Sequence, residues 1–217
     1  MKTMFPLVAA LVLSSAALPA QDPDRIARYL ASLERPEREA FQKPEQVMAA
    51  LNLKPGERVV DLGAGSGYFT LRMARAVGPR GIVWALDIRQ QMIDYIARRI
   101  ESEKISNIKL KLVPPDDPQI EPASVDTIVM VDVYHYIHYE KRGAEYAKKL
   151  RPAITPGGRV VIIDYIPKPA AERDWGPPEV QQMSRETLDS YMAGAGFKPA
   201  RVHSFLPEQY FVEYEVK

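Results

Sequence analysis

Two hydrophobic periods alternate along this chain. From 22 to 33, Ile26, Tyr29, Leu30 and Leu33 recur at helical spacing, with Asp22 or Asp24 placed to cap the start. Arg35-Pro36 interrupts the pattern and a polar stretch follows. Pro44 then opens a second helix over 44–51, with Val47, Met48 and Leu51 on one face. After a turn at Lys54-Pro55-Gly56, short apolar runs alternate with helix-period segments, the signature of a parallel sheet covered by helices. The runs predict strands at 58–62, 81–86, 108–113, 125–131 and 159–166, the last entered through Pro156-Gly157-Gly158. Helices are predicted over 67–76, 89–103 and 140–150, then over 184–193 before two late strands, 198–205 and 209–216.

Residues 1–20 follow neither period. Lys2 precedes the apolar run 7–13, then Ser14, Ser15 and the small-residue stretch 16–20, with no acid before Asp22. This predicts a secretory signal peptide cleaved near Ala20 or Ala17, and so a periplasmic or secreted protein. An uncleaved anchor is the alternative, although the run falls short of the roughly 20 apolar residues that a stable span needs, and no membrane span is expected in the mature chain. The organisation expected is a leader over 1–20, an N-terminal helical extension over 21–56 and one α/β domain over 57–217.

Composition narrows the chemistry. Apolar residues at 46% and charged residues at 26% fit a folded, soluble domain. The 29 basic and 28 acidic residues give +1, which becomes zero once Lys2 leaves with the leader. Such a chain has no overall field for nucleic acid or anionic membranes, and no nucleic-acid partner is expected. The basic pairs Arg98-Arg99, Lys141-Arg142 and Lys148-Lys149 lie on predicted helix faces and read as solvated. With no cysteine, disulfides, thiol nucleophiles and Cys-ligated metals are excluded, and no metal site is expected.

The informative stretch is Val59-Val60-Asp61-Leu62-Gly63-Ala64-Gly65-Ser66-Gly67-Tyr68. A buried strand running into a glycine-rich turn that opens a helix brings backbone N–H groups and a helix start up to a ligand. The spacing is G-x-G-x-G, whereas the dinucleotide fingerprint is G-x-G-x-x-G, which argues against a nicotinamide-dependent oxidoreductase. Asp61, two residues ahead, would repel a diphosphate but suits an ammonium group. Asp87, 26 residues further on at the end of the next strand, can accept both hydroxyls of a ribose. Taken singly, each acid could instead cap a helix or sit solvated at a strand end.

With these pieces, the sequence resembles the class I S-adenosylmethionine-dependent methyltransferases from about Pro44 to Val216. The resemblance extends through Pro114–Asp116, the Ser124-Val125-Asp126 entry to strand four, and the L-x-P-G-G-like entry to strand five over 150–163. It implies a Rossmann-like, mostly parallel seven-stranded sheet of order 3-2-1-4-5-7-6 with the last strand antiparallel, preceded by N-terminal helices. It also implies S-adenosyl-L-methionine as cofactor. Gly63, Gly65 and Gly67 would pass under its methionine part beside Tyr68, and Asp61 would face the amino group. Asp87 would hold the ribose, Ile88 would pack on the adenine, and Asp116 or Asp117 would accept from the adenine amine.

The acceptor side rests on Val131-Asp132-Val133-Tyr134-His135-Tyr136, because ligands of open α/β sheets bind beyond the carboxyl ends of strands. Asp132 is expected to touch both cofactor and acceptor. His135, titrating near neutrality, is a candidate base, or a packing residue with Tyr134 and Tyr136. No Asp/Asn-Pro-Pro-aromatic motif of base-modifying relatives follows strand four. The expectation is therefore methyl transfer to a small-molecule acceptor, with the oligomeric state left open. The alternative is an exported nucleoside- or ligand-binding module that keeps the fold without transferring methyl groups. Two proline clusters, over 114–122 and 167–178, should border the site, with 168–183, including Arg173, Asp174 and Trp175, as a lid. Arg35, Arg38, Gln42 and Lys43 are expected on the opposite wall.

Overall fold

The computed structural model describes residues 23–172 and 176–217. The expected leader, and Arg173, Asp174 and Trp175 of the expected lid, lie outside the described residues. Three helices come first: α1 Pro23–Leu33, α2 Arg38–Gln42 and α3 Pro44–Leu51. There follow β1 Arg58–Leu62, α4 Thr70–Val77, β2 Ile82–Asp87, α5 Gln90–Glu103, β3 Ile108–Leu112 and β4 Val125–Val131. The chain continues through α6 Tyr134–Tyr139, α7 Gly143–Leu150, β5 Ile154–Tyr165, α8 Arg185–Gly194, β6 Phe197–His203 and β7 Gln209–Val216.

The strands form one sheet of order β3-β2-β1-β4-β5-β7-β6. Pairings from β3 across to β5 are parallel, and β7 runs antiparallel to both its neighbours. The expected topology is the one observed. Central strands read as continuous apolar runs because helices cover both faces. Val60, Ile128, Met130, Val160 and Ile162 pack on one side with Leu150, Leu188 and Met192. Their chain neighbours Val59, Val129, Val161 and Ile163 pack on the other with Val47, Leu51, Met73 and Val77. Each such side chain contributes about 1.5–3 kcal/mol by leaving water, which makes strand register costly to shift. At the edge, β6 is mostly exposed and its register slips between Pro199 and Arg201, where proline is tolerated at a bulge.

Four expectations are corrected. The polar stretch after Pro36 contains α2, a five-residue helix with little apolar content of its own. Contacts hold it: the Arg38 guanidinium stacks 4.2 Å from the Tyr68 ring centroid, and Lys43 Nζ donates to the Phe205 carbonyl at 2.8 Å. The helix expected over 140–150 is α7, which starts later, and a helix that was not expected precedes it. The aromatic run 134–139 forms α6, and α7 starts at Gly143, where a Cβ would stand 2.4 Å from the Tyr191 ring. The fifth strand begins at Ile154 rather than 159, because the Pro156-Gly157-Gly158 segment bulges within it between two pairings to β4. The helix expected from 67 starts at Thr70, since the glycines make a loop first.

Candidate functional site

Four strands adjacent in the sheet each deliver an acid at or beside their carboxyl end: Asp87 on β2, Asp61 on β1, Asp132 just past β4, and Asp164 on β5. Parallel strands point all four the same way, toward one crevice. A hollow of about 420 Å³ at the opposite, amino ends of the strands is lined by charged groups such as Lys54, Glu57, Asp126 and Arg159. Those groups are largely engaged with one another, as in Arg58–Asp126 at 2.7 Å and Arg159–Glu213 at 3.4 Å, and serve the sheet.

The first half of the crevice is made of backbone. Gly63, Gly65 and Gly67 all have positive φ, at +83°, +57° and +80°. A Cβ on Gly63 would lie 2.3 Å from Val133 Cγ2, and one on Gly67 would lie 2.9 Å from Leu71 Cδ1, so conformation and space both require glycine. Asp87 organises the loop, accepting from Gly65 N at 2.9 Å and from Arg89 N at 3.0 Å. Asp61 is buried, and among the described residues its side-chain partner is the Thr70 hydroxyl, which donates to it. Burial raises its pKa to about 6 against the opposing Thr70 bond; Asp87 adds to the rise and Arg38 opposes it. Ser66 Oγ is buried in the same loop with no partner. Ile88 is 56% exposed, an apolar surface beside Asp87 suited to a flat ring.

α1 lies across this loop. Leu33 Cδ1 comes within 3.3 Å of where a Gly65 Cβ would be, Glu34 accepts from Arg99 at 2.8 Å, and Tyr29 accepts from Arg89 at 3.0 Å. Tyr68 is buried, donates to Glu39 of α2 at 2.7 Å, and is pushed up to about 12, chiefly by burial. On the loop after β3, Lys149 of α7 donates to the Asp116 main-chain carbonyl at 2.7 Å and pairs with the Asp117 carboxylate at 3.7 Å.

The second half is made of side chains. Asp132 has a left-handed backbone, φ +58°, uncommon for a residue with a Cβ. Its carboxylate accepts from Gln42 of α2 at 2.6 Å and from Gln209 at the start of β7. Burial raises its pKa to about 7; Asp164 pushes the same way, while Arg38, the Gln209 bond and His135 pull it down. His135 is buried, with Nδ1 2.7 Å from Asp164 Oδ1, and its backbone N–H donates to Asp164 Oδ2 at 2.9 Å. Burial disfavours the charged ring, but Asp164 and, more weakly, Asp132 outweigh it, and the His135 pKa rises.

Asp61, the three glycines, Tyr68 and Asp87 thus gather on one side, and Asp132 and His135 on the other. Sequence reasoning missed Asp164 and Gln209. An acid ending the apolar run Val160–Ile163 was a usable signal, whereas Gln209 had none before β7 was known to pair with β5. Arg38 and Gln42 do stand at the wall expected of them, while Lys43 reaches Phe205 instead. A buried acid, a glycine cradle, an unpartnered hydroxyl and a second acid fit an aminoacyl-bearing nucleoside such as S-adenosylmethionine.

Comparison with known proteins agrees with this geometry. A family model described as a methyltransferase domain matches residues 53–203. The chain is 27% identical over 143 residues to an arsenite methyltransferase of Halobacterium salinarum, covering 66% of this chain and 34% of that protein. It is 30% identical over 124 residues to a ubiquinone/menaquinone biosynthesis C-methyltransferase of Burkholderia mallei, covering 54% of this chain and 47% of that one. The chain thus spans less than half the length of either relative. A solved SAM-dependent methyltransferase from Aquifex aeolicus shares the fold with a TM-score of 0.79 at 24% identity, over 90% of this chain and 99% of that one.

Proposed function

The chain belongs to the methyltransferase-domain family, and from that premise we propose that it methylates a small molecule held beyond β4, β5 and β7. The cofactor is S-adenosylmethionine, which supplies a methyl group on a sulfonium centre. The observation that carries the reading is Asp61, a buried carboxylate before the glycine loop whose side-chain donor, among the described residues, is a single hydroxyl. Asp61 is the group that would take the ammonium, the Gly63–Gly67 backbone would lie under the methionine part, and Asp87 would exchange Gly65 N–H and Arg89 N–H for ribose hydroxyls. Ile88 offers a face for the adenine, and Asp116 or Asp117 is the acid that would accept from its amine, Asp117 by giving up its pairing with Lys149.

Alignment and charge neutralisation are the main work of this chain, because methyl transfer is an in-line displacement. Asp132 and His135 stand at the acceptor side of that line. The acceptor does not depend on a thiol of this chain, which has no cysteine.

Among the described residues no helix is long and apolar enough to cross a membrane. We place the mature protein in the periplasm or outside the cell, on the leader-like pattern of residues 1–20. That pattern favours one second reading, an exported module that binds a nucleoside without methyl transfer. Calorimetry on the chain from Gln21 tests the first step. S-adenosylmethionine and S-adenosylhomocysteine should both bind, and Asp87→Ala should weaken each about 10–100-fold, or about 1.4–2.8 kcal/mol. Absence of heat and of any thermal shift with either ligand would sink the proposal. Binding without turnover of any acceptor would favour the second reading.

A further inference from the structure

Beyond β4 and β5 the structure holds a catalytic arrangement more specific than a generic acceptor cleft. Asp164 lies next to the end of β5 and is fully buried. Its Oδ2 accepts the His135 backbone N–H, and its Oδ1 lies 2.7 Å from His135 Nδ1 while also accepting Tyr165 N–H at 2.9 Å. A carboxylate that accepts at both oxygens holds the proton on Nδ1 and leaves Nε2 as the ring nitrogen that can accept. The ring is held in place by aromatic neighbours, with centroids 4.1 Å from Tyr136 and 5.8 Å from Tyr165.

A second observation points to what the crevice lacks. Gln209 is 2% exposed, and while its Nε2 donates to Asp132, its Oε1 is buried with no hydrogen-bond partner. A buried carbonyl without a donor is destabilising, and a ligand O–H or N–H removes that cost. The charge balance also selects. Asp132 and Asp164 face the histidine itself, whereas the nearby cations, Arg38 and Arg89, act on Asp132 and on Tyr136, so an anionic acceptor at the ring would meet two acids. Tyr136, 49% exposed beside Tyr29 and Arg89, offers a face for a flat ring.

We propose, resting on the methyltransferase reading above, that the acceptor is a neutral phenol-type hydroxyl, with His135 Nε2 as its base and Asp164 as the residue that positions that base. An amine is already nucleophilic once neutral, whereas a phenol gains reactivity only as its proton leaves, which is the task of an oriented His–Asp pair. In the step, the acceptor oxygen forms the new O–CH3 bond as the methyl–sulfur bond breaks. The hydroxyl proton passes to His135 Nε2, and S-adenosylhomocysteine leaves carrying the sulfur electron pair. Asp164 keeps its contacts to His135 throughout; Asp132, Tyr136 and Tyr165 also face the ring, with Arg38 beside Asp132 and Tyr165 and Tyr210 beside Asp132 and Asp164.

The test uses the chain from Gln21 with two readouts. NMR titration of the three histidines, with His135 assigned by His135→Gln, should show the His135 pKa falling in Asp164→Asn and recovering in part in Asp164→Glu. Turnover is followed as S-adenosylhomocysteine release with catechol and hydroquinone as hydroxyl probes and benzylamine as the nitrogen probe. The hydroxyl probes should be methylated, and Asp164→Asn and His135→Gln should each cut that rate on the order of 10²–10⁴-fold. Affinity for S-adenosylhomocysteine should change less than threefold. An unmoved histidine pKa, preference for benzylamine, or no transfer to either hydroxyl probe while S-adenosylhomocysteine still binds would overturn the proposal. Failure of S-adenosylhomocysteine to bind the unsubstituted chain would instead remove the methyltransferase reading beneath it.

Discussion

The two halves of the crevice are built by different means. On the β1–β2 side, ligand groups are backbone N–H donors and two acids carried within a 27-residue stretch, 61–87. On the β4–β5 side, the polar groups come from α2, the β4–α6 junction, β5 and β7, with Gln42 and Asp132 lying 90 residues apart in sequence. The first half is a local motif that any strand–loop–helix unit can carry. The second exists only once the sheet is complete, so its chemistry can change with single side chains while the first stays fixed.

The largest effect should come from the point where the halves touch. Gly63→Val would drive side-chain atoms into Val133, the neighbour of Asp132, at a φ of +83°. Overpacking and a left-handed β-branched residue together should cost about 3 kcal/mol in urea unfolding, abolish S-adenosylhomocysteine binding and shift the His135 resonance. If binding is lost while the His135 signal stays put, the halves are independent and the comparison holds more strictly than the contact suggests.

A smaller effect is electrostatic and should belong to the first half alone. Asp61 titrates near 6 in the folded protein, above its ordinary value of 3.8, because burial disfavours its charge. Below about pH 6 the neutral acid no longer pairs with an ammonium, so affinity for S-adenosylmethionine should fall up to tenfold per pH unit. The free protein should move the other way. A carboxyl whose folded pKa is raised carries its penalty at pH above that value, so this residue's contribution to stability improves as pH falls from about 6 toward 4. Calorimetry across pH 5–8, paired with unfolding of the ligand-free chain, reads both slopes, and parallel slopes would remove Asp61 as the ammonium site.

The smallest effect sets the baseline. Ser184 caps α8, accepting from Thr187 N at 3.2 Å, away from both halves. Ser184→Ala should cost about 1 kcal/mol of stability and leave cofactor affinity and the His135 titration unchanged. A change in either would mean that general loosening, rather than local contact, governs the site.

The same contrast explains what was legible in the sequence. Short apolar runs between helix-period segments placed all seven strands, most firmly the central ones that are buried on both faces, and Val59–Gly67 with Asp87 could be read because backbone motifs leave contiguous marks. α2 escaped because its support is Tyr68, Asp132 and Phe205, all distant in sequence. α6 escaped because an aromatic run immediately after a strand reads as more strand. Asp132 and His135 were found by position at a strand end, but the partner that gives the histidine a direction, Asp164, sits 29 residues from it and is brought there only by the β4–β5 pairing.

The backbone of Asp132 places durability and turnover in opposition. A left-handed residue with a Cβ costs about 1–2 kcal/mol, a cost that glycine at the same position would relieve. A search for hardier variants, blind to turnover, would therefore tend to discard this carboxylate first, and with it the anchor shared by Gln42 and Gln209. Retaining aspartate there keeps some fragility in the fold for as long as the chain has an acceptor to hold.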